Sequence, residues 1–132
     1  MLKDSKAFSG FSVNDIDAAF DFYSEKLGLQ VDKTEGMGGM LTIHISGNSN
    51  HILVYKKPDH QPATYTILNF PVVNIDDAVT GLKERGVQFE SYDHEYMKTN
   101  ENNIARGEQG PAIAWFKDPA GNFLSVLEIS SE

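Results

Sequence analysis

Val13-Asn14-Asp15-Ile16-Asp17-Ala18-Ala19 decides the fold, because a near copy of it, Val73-Asn74-Ile75-Asp76-Asp77-Ala78-Val79, recurs in the second half of the chain. In each copy an apolar residue closes an extended segment, an Asn or Asp follows that can cap a helix, and an apolar stripe begins. Phe8 to Val13, before the first copy, alternates large and small side chains as a strand does. After it, Ile16, Ala19, Phe20, Tyr23 and Leu27 recur at three-and-four spacing, and Gly28 supplies the stop. Leu29 to Val31 is extended, Gly36 to Gly39 is a flexible connection, and Leu41 to Ser46 and His51 to Tyr55 flank the turn Gly47-Asn48-Ser49-Asn50.

The same order starts again after a polar linker that carries Pro58 and Pro62. Thr64 to Val73 reads as a strand in which Pro71 marks an edge or a bulge. Asn74 caps a helix through Ile75, Ala78, Val79 and Leu82, and Gly86 ends it before the short strand Val87 to Phe89. Ala112 to Phe116 and Phe123 to Ile129 close the series around the turn Asp118-Pro119-Ala120-Gly121-Asn122. Superposing the halves, Val13-Asn14 falls on Val73-Asn74 at an offset of 60, Gly28 on Gly86 at 58, and Gly47-Asn48 on Gly121-Asn122 at 74. The jump places an insertion of 16 residues near Tyr92 to Gly107, a polar stretch without periodicity that reads as a long loop. The expected architecture is therefore α+β, two βαβββ modules in one domain over 1–132, with module one at 6–57, a linker at 58–63 and module two at 64–130.

Composition excludes several function classes. The chain has 132 residues, 40% of them apolar, which suits one folded domain. Without cysteine it can form no disulfide, thiolate metal cluster or cysteine nucleophile. A formal charge of −8 disfavours nucleic acid, whose affinity depends on clustered Lys and Arg, and it repels anionic membranes while weakly attracting a cationic small molecule. No apolar run approaches a membrane span or a secretory leader, so the expectation is a cytoplasmic protein, mature from Met1, with neither nucleic acid nor membrane as partner.

The start at Val13 to Ala19, Phe22-Tyr23 followed by Leu27-Gly28-Leu29, and Asp118 to Asn122 before the last strand together resemble the vicinal oxygen chelate superfamily. That superfamily includes glyoxalase I, bleomycin-resistance proteins and extradiol dioxygenases, and the resemblance covers nearly the whole chain. It implies two βαβββ modules curled into an open barrel around a cavity, in a homodimer. It also implies, for members that do chemistry, one divalent metal held by His, Gln or Glu from the first and last strands of each module. Counting back five from Val13 and Val73 gives Phe8 and Leu68, and counting four on from Gly47 and Gly121 gives His51 and Ser125. Only His51 is a strong ligand, whereas catalytic zinc normally takes three protein ligands, so no metal and no cofactor is expected.

By alternation the same face should carry Leu53, Tyr55, Phe70, Phe123 and Leu127, making Phe8, His51, Leu53, Tyr55, Leu68, Phe70, Phe123 and Ser125 the candidate ligand-binding wall. Such a wall suits a flat or greasy molecule, with His51, Ser125 or the Tyr55 hydroxyl orienting it; the alternative is that these side chains simply fill the barrel. Simple hairpin pairing sets 44 against 53 and makes His44 and His51 diagonal neighbours on one face. His60 and His94 read as solvated. The expected function is metal-independent binding of a small molecule, in the manner of bleomycin-resistance proteins. The alternative is a lyase, isomerase or dioxygenase with a displaced metal site at His44 and His51, or with His51 as general acid/base.

Overall fold

Two compact units, Met1–Gln61 and Pro62–Glu132, make up the chain. The computed structural model describes residues 1–34, 39–107 and 110–129. Of the connection expected over Gly36 to Gly39, all but the last residue lies outside the described residues, as does residue 130. Among the described residues no helix is long and apolar enough to cross a membrane.

In the first unit β1 (Gly10–Val13) leads into α1 (Ile16–Asp21), followed by β2 (Gln30–Thr34), β3 (Met40–His44) and β4 (Ile52–Lys56). The sheet order is β1-β4-β3-β2, with β1 parallel to β4 and the other pairs antiparallel. Asp15, extended at φ −142°, caps α1 by accepting the Ala18 N–H at 3.0 Å. A π-helical turn, Phe22–Lys26, prolongs the helix, and its wider winding lets the consecutive Phe22 and Tyr23 both be buried. Gly28, at φ 72°, then turns the chain, with the Leu29 N–H bonded back to the Tyr23 carbonyl. Val13, Leu41, Ile43 and Val54 are fully buried on the sheet face that carries the helix, where Phe11 meets the Tyr23 ring at 5.8 Å. The alternate residues Gly10, Ser12, Thr42, Leu53 and Tyr55 point to the opposite face.

The second unit repeats the plan: β5 (Thr66–Val72), α2 (Ile75–Glu84), β8 (Ile113–Lys117) and β9 (Phe123–Glu128), in the order β5-β9-β8. The expected strand Val87 to Phe89 is reduced to a single bridge from Phe89 to Phe116, on the same edge that β2 occupies in the first unit. Asn74 caps α2 through the Asp77 N–H, and Glu128 of β9 accepts the Ile75 N–H at 3.0 Å. Glu128 therefore shares the helix face with Leu124 and Val126, which are buried together with Ile75 and Val79.

The insertion differs from the expected long loop. Tyr92 to Gly107 holds a short hairpin, β6 (Asp93–His94) and β7 (Met97–Lys98), and it buries Ile104 and Ala105. Asn103, in the left-handed region at φ 70°, anchors it: its side-chain amide donates to Ser91 Oγ at 2.7 Å and to the Glu90 carbonyl at 3.2 Å. Its Oδ1 accepts from Lys83 Nζ at 2.8 Å. Polar side chains bonded to backbone supply this order, and they leave no hydrophobic period in the sequence.

Candidate functional site

In the first unit a hairpin and the chain's leading segment build the site together. Asn50 donates to the Ala7 carbonyl at 2.8 Å and the Leu53 N–H to the Ser9 carbonyl at 3.0 Å, two bonds that bracket Phe8. Gly10 allows this approach, since a Cβ there would stand 3.1 Å from the Leu53 carbonyl oxygen. Lys6, Phe8, Thr42, Asn50, His51 and Leu53 consequently surround an open depression of about 390 Å³ on the face away from α1. Phe8 precedes β1 instead of lying within it, and 66% of it is exposed. Tyr55 lies on the same face beyond the depression and is 40% exposed.

His44 and His51 are closer than simple hairpin pairing implies. Thr42 pairs with Leu53 and Ile43 with Ile52, so the register differs by two residues and sets 44 against 51. A shift of two keeps both on one face while turning diagonal neighbours into direct ones, with ring centroids 4.1 Å apart and ring planes inclined at 68°. Asp32 of β2 engages His44 Nε2 at 2.7 Å. His60 is not solvated as expected: it is half-buried, with Nδ1 2.7 Å from Ser12 Oγ. His94 is exposed.

In the second unit the helix-free face of β9 carries Phe123, Ser125 and Leu127. Ser125 is fully buried and donates to Asn69 Oδ1 at 2.6 Å, while Trp115 lies opposite it on β8. The indole N–H of Trp115 donates to Thr66 Oγ1 at 3.1 Å, and Tyr92 meets the indole edge-on at 5.6 Å. Burial, aided by the Glu90 carboxylate, pushes the Tyr92 phenol above its ordinary range. Lys117 stands 5.0 Å from the Phe123 ring centre.

Leu68 and Phe70 do not join this face. They pair with Leu124 and Val126, on the side holding α2. The slip comes from the choice of cap. Asp15, not Asn14, is the cap equivalent to Asn74, which makes the true offset 59, as the bonds Lys57 N–H to Val13 O and Ile129 N–H to Val72 O confirm. That offset alone maps the pair Gly10–Leu53 onto Asn69–Ser125, and a bulge between Thr66 and Leu68 sets Thr66, in place of Ile67, against Phe123. Along the last strands the offset is 72, which makes Ser125 the counterpart of Leu53, and Phe123 that of His51. On the helix-free face of the first unit the imidazoles of His44 and His51 stand together, and on that of the second Asn69 and Ser125 are bonded to each other; neither pair supplies the three ligands a catalytic divalent metal normally takes. Among the described residues no three His, Cys, Asp or Glu side chains stand together to hold an ion.

Sequence reasoning had missed Lys6, Thr42 and Asn50 in the first unit, and Tyr92 in the second. Thr42 was readable by alternation from His44, whereas Lys6 and Asn50 follow no period.

The family model described as Glyoxalase/Bleomycin resistance protein/Dioxygenase superfamily matches residues 8–126. No curated protein sequence matches the chain significantly. Among solved structures, TnmS3, an antibiotic-binding protein from Streptomyces sp. CB03234, is similar with a TM-score of 0.70 and 21% identity, over 98% of this chain and 99% of that one. A superfamily member from Sphaerobacter thermophilus has a TM-score of 0.71 and 23% identity, over 95% and 98% of the two chains. A fosfomycin resistance protein, FosX, from Listeria monocytogenes has a TM-score of 0.68 and 14% identity, over 96% and 93%.

Proposed function

The chain belongs to the glyoxalase/bleomycin resistance protein/dioxygenase superfamily, and from that premise we propose that it is a metal-independent protein that binds and sequesters a hydrophobic or aromatic small molecule. The observation that carries this reading is the depression on the first unit, where Phe8 and Leu53 offer apolar contact beside His51. Its volume of about 390 Å³ suits a small ligand. Aromatic contact to one exposed ring supplies on the order of 1 kcal/mol beyond area burial, and His51 provides a polar point that orients. Tyr55, on the same face of the first unit, extends the proposed site, in a protein acting as one domain, as a homodimer and in the cytoplasm. The antibiotic-binding description of TnmS3 agrees with this reading.

The neutral fluorophore phenylnaphthylamine tests it. We expect saturable binding at one molecule per chain, weakened about tenfold by Phe8→Ala, a substitution at an exposed position that the fold tolerates. Absence of saturable binding by this dye and by its anionic sulfonate counterpart overturns the reading. So does stoichiometric zinc, iron, manganese or nickel that chelation removes and re-addition restores. Sedimentation at twice the mass of the single chain is the expected oligomeric result.

A further inference from the structure

We infer that the ligand of the first-unit depression is an amphiphilic anion, an apolar ring system bearing one carboxylate, sulfonate or comparable acidic group. The inference rests on the binding reading above and names the ligand's charge. The chain has 19 acidic side chains against 11 basic ones, yet among the described residues no Asp or Glu borders the depression, and Lys6 does. The nearby carboxylate, Asp32, is engaged with His44, and His44 stands between it and His51. An ammonium placed here would face Lys6 with no carboxylate among the lining residues to offset it. An anion instead meets the Lys6 ammonium, an imidazole N–H of His51 and the Thr42 hydroxyl, while its ring lies against Phe8 and Leu53.

The placement of Lys6 is built into the fold. The Asn50 to Ala7 and Leu53 to Ser9 bonds fix the residues next to it on the hairpin that carries His51. The net charge of −8 acts on an approaching ion from a distance and is screened within about 8 Å at physiological salt. Groups in contact with the ligand therefore decide its sign. Global charge points to a cationic ligand; the local arrangement reverses that expectation.

Two fluorophores with one ring skeleton separate the possibilities: neutral phenylnaphthylamine and anionic anilinonaphthalene sulfonate, titrated into the full chain. The expected result is about tenfold tighter binding of the sulfonate, as one charge-assisted contact supplies. Lys6→Gln should bring the ratio of the two affinities close to one, Lys6→Arg should preserve it, and added sodium chloride should lower it. Equal affinities in the wild-type chain, or a sulfonate advantage that survives Lys6→Gln, overturn the inference and leave the binding reading standing. If neither fluorophore binds, both fall.

Discussion

Asn122 is the residue on which the last turn depends. It is 2% exposed, its Oδ1 accepts the Ala63 N–H at 3.1 Å, and its amide donates to Asp118 Oδ2 at 3.1 Å. Asp118, also buried, uses Oδ1 to accept the N–H groups of Ala120 and Asn122. Asn122→Ala removes an acceptor from one part-buried N–H and a donor from a buried carboxylate, so it should cost about 2 kcal/mol in urea unfolding. Asn122→Asp should cost more, since it sets a second carboxylate beside Asp118. A loss under about 0.5 kcal/mol for the alanine variant would mean that water replaces both partners. Gly121 lies at φ 86°, and a Cβ there would stand 3.1 Å from Pro62 Cβ. The composition of Asp118 to Asn122 made the turn legible, but nothing in it told that the carboxylate and amide would be buried together.

At the scale of elements, what could be read depended on whether a local rule fixed the backbone. Caps at Asp15 and Asn74, stops at Gly28 and Gly86, and both apolar stripes follow from such rules, and the duplicated architecture with them. Exact register does not. Asn14 and Asp15 are both good caps, and choosing between them moves every count in β5 by one, which turns a strand over. The bulge at Ile67 and the two-residue shift across the Gly47 to Asn50 turn are likewise settled by packing. Hence Phe8, His51 and Leu53 were found together, while Leu68 and Phe70 were assigned to the wrong face. The ordered insertion was hidden because its hub is polar. Asn103→Ala should release it: amide hydrogen exchange at Thr99 and Ile104 should accelerate at least tenfold while β8 and β9 stay protected. Unchanged exchange would show that burial of Ile104 suffices to hold the segment.

Across the whole molecule, two electrostatic effects oppose each other. The ion pairs Lys33–Asp17, Lys57–Asp59, Arg106–Asp76 and Lys117–Glu90 are exposed or half-exposed, and such pairs contribute little. Against them stands a formal charge of −8, which destabilises any compact state by self-repulsion. Salt weakens both, and their balance gives the sign of the response. Repulsion acts over the long distances that salt screens most completely: the screening length falls from about 30 Å at 0.01 M to about 3 Å at 1 M. The melting temperature should therefore rise by a few degrees as sodium chloride increases across that range at pH 7. Below the ordinary carboxylate range a separate loss begins: Lys33 and Lys57 hold the Asp17 and Asp59 carboxyls below their usual values. The unfolded chain takes up those protons first, so the stability these pairs contribute is present above the ordinary carboxylate value and disappears as pH falls through the lowered ones. A melting temperature that falls with salt at pH 7 would assign the larger share to the ion pairs, against the expectation from their exposure.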